Sequence, residues 1–284
     1  DNMNNTSPKN EEELSQMIID IISVAPEANR NFYNSLSKIT NKIENDEKLQ
    51  LDTIEFIMMW CDFGDLLTVK ALINNFCYIL TPHPSKSGSL AFLPLLREVI
   101  TKCGNSVLSE LLLFSKKYKE ICDSKFILKK VFPFISAFID SDENDTASCS
   151  FSFLVSLIPE IGEENIQKLI TISYKISKSK NTNARLAVVH AFSTLLQYTV
   201  DDKKTYFEDI VSQSLLDTCY LVQTHSIRVA AAHVDLINNI DTLLAISNDS
   251  SWKVKYSLIE NIGVFIKSFK EFENVLFHFA RNKD

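Results

Sequence analysis

Glycine is scarce. The 284 residues contain five, Gly64, Gly88, Gly104, Gly162 and Gly263, where average usage of about 7% would give roughly twenty. Tight hairpin turns and phosphate-cradling loops need residues that accept positive φ. The shortage therefore disfavours most β and α/β enzyme folds, whereas short helices joined by polar turns need far fewer glycines. Paired cysteines are missing too. Cys61, Cys77, Cys103, Cys122, Cys149 and Cys219 include no CxxC. In a chain this large, with spacing this irregular, they read as reduced core thiols of an intracellular protein rather than a disulfide framework.

No dense Lys/Arg run occurs, and the formal net charge is -7. The basic stripe of a duplex nucleic-acid binder is absent, as is the basic amphipathic helix of a membrane-surface protein. Mild acidity mainly favours solubility. No uncharged apolar stretch reaches the roughly 18 residues that span a bilayer; the nearest, Ala147 to Pro159, is too short. The N-terminus, Asp1 to Glu13, lacks the apolar core of a secretory signal. The expected compartment is the cytoplasm, with the nucleus in addition. The expected partners are proteins, with neither nucleic acid nor membrane among them.

Catalytic signatures are missing as well. There is no Gly-x-Ser-x-Gly, no Walker loop and no dinucleotide fingerprint. The histidines are His83, His190, His225, His233 and His278. His225 and His233, with Cys219 nearby, are more widely spaced than a zinc motif requires, and they read as packing or turn residues. Asp140-Ser141-Asp142-Glu143-Asn144-Asp145 lacks the sixth-position glycine and terminal Glu of a calcium loop, so it reads as a solvated turn. The pairs Glu163-Glu164 and Asp201-Asp202 fit helix starts, where the dipole favours acids. The expectation is a protein that is not an enzyme, with no catalytic residues, metal or cofactor.

What is present is repetition. Hydrophobic residues make up 45% of the chain, enough for a core and against wholesale disorder. Phe92-Leu93-Pro94-Leu95-Leu96 is matched by Val131-Phe132-Pro133-Phe134-Ile135, each leading to an apolar pair, Val99-Ile100 and Phe138-Ile139. The spacing fits the roughly 40–47 residues of a HEAT or armadillo unit. An early proline suits a first turn, and a deeper one kinks the helix. A second series reads as helix starts: Asn183-Ala184-Arg185, Ser226-Ile227-Arg228 and Trp252-Lys253-Val254-Lys255. The turns before them are placed at Lys178–Thr182, Gln223–His225 and Asn248–Ser251, with Ser and Thr expected to cap. Ile227, Ala231, Val234 and Ile237 would share one helix face, as would Val254, Leu258, Ile262 and Phe265.

The pattern predicts an all-α chain, an α-α superhelix (a HEAT-repeat or armadillo-like solenoid) of about seven helix pairs. Residues 1–284 form one solenoid, with a polar tail at 1–9, divergent repeats at 10–80 and clearer repeats at 90–284. Helices are placed near 10–24, 28–44, 47–61, 65–80, 90–102, 106–121 and 125–139. They continue near 146–159, 163–178, 183–199, 205–222, 226–240, 252–267 and 271–281. Thr81 to Ser89 is the longest irregular piece. Arg228 and Lys255 lie so close that the helix between them shrinks to about Asp241–Ser247, and the sequence stops one helix into a new pair. Both features suit a part of a longer protein.

Asp249-Ser250-Ser251-Trp252-Lys253-Val254-Lys255-Tyr256 resembles the Asp-x-x-Trp-Arg-Val-Arg signature of HEAT repeats in the scaffold (A) subunit of protein phosphatase 2A. Ser226-Ile227-Arg228 is similar to the Ser-Val-Arg helix before it in that family. The strong part covers about residues 205–284; residues 90–200 look like generic HEAT repeats, and 1–80 match in helical character only. The resemblance implies a curved scaffold whose intra-repeat turns form a ridge gripping phosphatase catalytic and regulatory subunits. Trp252, Lys253 and Lys255 are the ridge candidates, with Arg228 and Arg185 in earlier repeats. HEAT repeats often place Asp six residues before the basic residue, giving an inter-repeat charge ladder. Asp249 and Lys255 keep that spacing, but Ser179 and Val222 stand before Arg185 and Arg228, so the ladder is expected to be broken. Tubulin-binding TOG domains, related phosphatase regulators and nuclear transport receptors share much of the pattern. For Trp252 the default role is packing within its repeat, and the alternative is an exposed interface anchor. Val254 is expected in the core, and Lys253 in solvent.

Overall fold

The computed structural model describes residues 86–121, 124–141, 145–248 and 251–281, together with 69, 70 and 73. The polar tail, the helices placed at 10–24, 28–44 and 47–61, and Cys61, Cys77, Cys122, His83 and Asp249 lie outside the described residues. So do Asp142, Glu143 and Asn144, half of the expected solvated turn. Every regular element among the described residues is helical. Contacts divide the chain into two compact units, Asp1–Ile161 and Gly162–Asp284.

In the first unit, helix α1 spans Lys86–Cys103 and leads through a 3-10 turn, Gly104–Val107, into α2, Leu108–Ile121. Lys86 to Ser89, expected to be irregular, is therefore helical, and Pro94 is accommodated inside α1. The second proline segment is built differently. A helical run, α3, is assembled from Ser124–Phe126, a π-helical stretch Ile127–Val131 and Phe132–Ser136. Pro133 cannot donate a main-chain hydrogen bond, and the wider turn directly precedes it. Helix α4, Thr146–Ser156, packs on α1, α2 and α3. Asn105 Nδ2 donates to Ser148 Oγ at 3.0 Å and fastens the 3-10 turn to α4. Cys149 is buried in α4, and burial pushes its thiol up to about 12, which suits a core thiol.

The second unit is a regular alternation. It runs α5 Glu163–Ile176, α6 Thr182–Leu196, α7 Lys204–Leu215, α8 Tyr220–Ala232, α9 Ile240–Ser247, α10 Trp252–Ser268 and α11 Phe272–Arg281. The even-numbered helices pack side by side, α6 on α8 and α8 on α10. The odd-numbered ones form the other layer, α5 on α7, α7 on α9 and α9 on α11. Each pair α5–α6, α7–α8 and α9–α10 also packs internally. This is a helical, repeat-like arrangement in two layers, with the core between them.

The register of the inner layer is strict. At the third position Ala184, Val222 and Val254 are buried; at the seventh Val188, Ser226 and Leu258; at the eleventh Phe192, Ala230 and Ile262. Ala187, Ala191 and Ala230 keep the helices close. Phe192 meets Phe207 edge-on at 5.0 Å across the layers. Glu163 and Glu164 open α5, and Asp201 and Asp202 open the 3-10 turn Asp201–Lys203 before α7, as the dipole argument requires.

Two expected boundaries fail. The turn placed at Gln223–His225 lies inside α8; the chain turns at Leu216–Cys219 instead. Helix 226–240 ends at Ala232, followed by a 3-10 turn Val234–Leu236, so Ile237 leaves the face it was assigned. The short helix expected at Asp241–Ser247 is present as α9, its first turn capped by Asn239, whose side chain accepts from the Asp241 N–H at 2.8 Å. Ser and Thr do not cap the inner helices: Asn181 caps α6, and neither Cys219 nor Ser251 makes a side-chain cap.

Candidate functional site

The inner helices α6, α8 and α10 all begin at the same edge of the second unit, because each follows a short turn from the outer layer. Of the side chains singled out in the sequence, that edge carries Arg185, Trp252, Lys253 and Lys255. Arg185 is the fourth residue of α6, and its partner is Asp217, in the turn leading to the next inner helix. Arg185 Nε donates to Asp217 Oδ2 at 2.6 Å and Nη2 donates to Oδ1 at 2.9 Å. Arg185 Nη1 also donates to the carbonyls of Ser179 and Lys180, at 2.8 and 3.0 Å. These bonds to Asp217 raise the guanidinium pKa against the opposing effect of partial burial. Asp217 Oδ1 further accepts the Cys219 N–H at 2.8 Å and thereby shapes the turn. A bidentate charge pair of this kind is the strong variety of hydrogen bond. Arg185 is therefore committed to holding one repeat to the next.

Charge thus crosses from one repeat to the next at Arg185, though not in the way expected. The acid lies after the arginine, in the following repeat, rather than six residues before it. Asp217 was missed, yet a signal existed. Asp217-Thr218-Cys219-Tyr220-Leu221-Val222 repeats the Asp-x-x-aromatic-x-Val pattern of Asp249 to Val254. In this register Tyr220 is the counterpart of Trp252, and Gln223 is the counterpart of Arg185 and Lys255. Gln223 is buried and donates to the Leu215 carbonyl at 3.3 Å.

Arg228 sits in the middle of α8, away from the helix starts. It is exposed and faces Glu260 of α10 at 3.8 Å, an ion pair of small energy in water. Val254 is buried as expected. Trp252 is a correction: its expected packing role fails, for its side chain is 70% exposed. Helical side chains lean over the turn on their N-terminal side, and the first residue of α10 has no such turn beneath it. Lys253 is exposed as expected and engaged with its neighbours. Its Nζ lies 4.3 Å from the Tyr220 ring centroid and 5.9 Å from that of Trp252, and it donates to Tyr220 Oη at 3.3 Å. Tyr220, Trp252, Lys253 and Tyr256 form an exposed aromatic and cationic cluster at the edge of α8 and α10. Exposed Trp and Tyr beside a cation are the side chains that dominate protein interfaces.

Among the described residues, His190, His225 and His233 make contacts between neighbouring helices. His190 of α6 meets His225 of α8 edge-on at 4.4 Å, and His233 Nε2 lies 2.9 Å from Ser193 Oγ. Burial lowers the pKa of His190; burial, then His190 and Arg228, lower that of His225. Among the described residues no three His, Cys, Asp or Glu side chains gather where they could hold a metal ion. No helix among them is long and apolar enough to cross a membrane.

No protein-family model matches the chain, and no curated protein matches it. Solved structures do match, among them the crystal structure of Cex1p, at 13% sequence identity and a TM-score of 0.53. The superposition covers 97% of this chain and 55% of Cex1p, so the chain spans about half the length of that structure. At this identity the likeness is one of fold: the chain is all-helical and repeat-like.

Proposed function

We propose that the chain is a non-catalytic scaffold of the HEAT-repeat type, an α-α superhelix that holds protein partners, and that its partner is a protein phosphatase 2A-like holoenzyme. The observation carrying this reading is the cluster of Tyr220, Trp252, Lys253 and Tyr256 at the aligned starts of α8 and α10. In the resembled family that edge is the gripping ridge. The layered helix pairs of the second unit support a stack whose spacing sets the positions of partners. A tubulin-binding reading would need aromatic and basic residues at successive turns. Here the starts of α6 and α8 are Thr182-Asn183 and Tyr220-Leu221, which favours the phosphatase reading.

The test is affinity capture of the native protein from its source at low salt, followed by mass spectrometry. A phosphatase catalytic subunit is expected in the wild-type sample and depleted with Trp252→Ala/Lys253→Ala. Repeated absence of any phosphatase subunit refutes the assignment.

A further inference from the structure

The ninth residues of the inner helices form a row across the second unit: His190 in α6, Arg228 in α8 and Glu260 in α10. Between α8 and α10 the row closes with an ion pair, Arg228 to Glu260 at 3.8 Å. Between α6 and α8 it closes differently. There His190 meets His225 of the next repeat, with ring centroids 4.4 Å apart and ring planes at 80°. Two imidazoles bring each other no opposite charge. Among the described residues neither ring has a hydrogen-bond partner in the protein. His233, the third histidine of these helices, has one, since its Nε2 lies 2.9 Å from Ser193 Oγ.

A neutral imidazole offers a lone pair that suits a divalent transition-metal ion. Burial holds both pKa values below the ordinary 6.5, so both rings are mostly neutral near pH 7. His190 is exposed and His225 half-buried, so an ion reaches the pair from solvent. Zinc lies about 2.0–2.1 Å from each ligating nitrogen, so two rings sharing one ion stand about 5 Å apart between centroids. The observed 4.4 Å is close to that spacing. Arg228 works against a cation here, and its pairing with Glu260 offsets part of that charge.

We propose that His190 and His225 are the two protein ligands of a zinc ion that joins α6 to α8, with water completing its four-coordinate shell. Zinc fits because it has no d-electron preference for geometry and accepts imidazole nitrogen in open sites. The Arg185–Asp217 pair ties these repeats at the helix starts; the ion pins the same two helices further along. Sequence spacing hid the pair. His225 was weighed with His233 on its own helix, whereas its partner belongs to the preceding repeat. The proposal stands apart from the phosphatase reading.

The test is a zinc chloride titration of the full 284-residue chain, labelled at the histidine nitrogens with the heavy stable isotope so that NMR reads each imidazole separately. Single His→Gln variants assign the signals. The His190 and His225 signals should shift together, with one midpoint, before those of His83, His233 and His278. Magnesium chloride should shift neither. His190→Gln should suppress the response of His225, and His225→Gln that of His190. Each loses a direct ligand, so zinc affinity should fall by at least the roughly 10–100-fold that loss of an outer-shell partner costs. Zinc held by cysteine thiols leaves these signals unmoved and does not mimic the result. The wild-type titration decides the matter even where a variant fails to fold. His190 and His225 signals that stay fixed in excess zinc, or shift with separate midpoints, overturn the proposal. So does an undiminished His225 response in His190→Gln. All five rings shifting alike marks an adventitious ion only and overturns it too.

Discussion

Removing the Asp217 carboxylate should weaken the contact between successive repeats, and the geometry sets the size of the effect. Asp217 takes two hydrogen bonds from Arg185 and one from the Cys219 N–H. The Arg185 and Asp217 side chains are 15% and 6% exposed, so the pair is far drier than a surface ion pair. Breaking a fully buried pair by removing one partner costs about 3–5 kcal/mol. Arg185 would keep the Ser179 and Lys180 carbonyls, which places Asp217→Ala at the low end, about 3 kcal/mol. Asp217→Asn keeps an oxygen for the Cys219 N–H but sets an amide against the Arg185 Nε–H, so about 2 kcal/mol is expected. The assay is urea denaturation of the wild type, Asp217→Ala, Arg185→Ala and the double variant. A coupling energy of about 2 kcal/mol is expected, roughly a thirtyfold change in the folding equilibrium. It should persist in 1 M salt, where the Debye length is still about 3 Å. A coupling below about 0.5 kcal/mol would mean that the pair behaves as an exposed one, and the reading of Arg185 as an inter-repeat tie would fail.

Gly162 precedes α5 at φ 73° and ψ 154°, a region open essentially to glycine alone, so Gly162→Ala should cost about 1–3 kcal/mol by denaturant titration. Phe207 is fully buried against Phe192, and Phe207→Ala should cost about 3–5 kcal/mol. His190 and His225 have pKa values lowered below the ordinary 6.5, so the unfolded chain binds protons first as pH falls. Their contribution is intact above about pH 6.5 and is lost as pH falls through the lower folded values; a His190→Gln/His225→Gln variant should show a flatter stability curve from pH 7 to 5. Trp252→Ala should change stability by less than about 0.5 kcal/mol because the side chain is exposed, while partner capture falls; a large drop in melting temperature would restore the packing role.

The helix pairs were legible wherever polarity and periodicity agreed. The starts of α6 and α10 follow polar turns, and both were placed within a residue. The start of α8 was missed because its polarity is inverted. Leu216 to Val222 looks apolar enough to continue a helix, whereas Gln223-Thr224-His225-Ser226 looks like a turn. The structure shows how those polar side chains live inside a helix: Ser226 Oγ donates to the Val222 carbonyl at 2.7 Å, Thr224 Oγ1 donates to the Leu221 carbonyl, and Gln223 bonds to Leu215. Such back-bonding satisfies hydroxyls that would otherwise favour a turn. The true turn contains neither glycine nor proline, and Asp217 makes it by accepting the Cys219 N–H. The same residue explains the misread ladder, since a search within one repeat cannot find an acid supplied by the next. Trp252 failed for a related reason. Burial of an inner-helix start depends on the next inner helix: Tyr220 is partly covered by Lys253 of α10, and no inner helix among the described residues comes after α10 to cover Trp252 in the same way. What a residue of a stacked helix touches is therefore fixed by its place in the stack as much as by its place in its own helix.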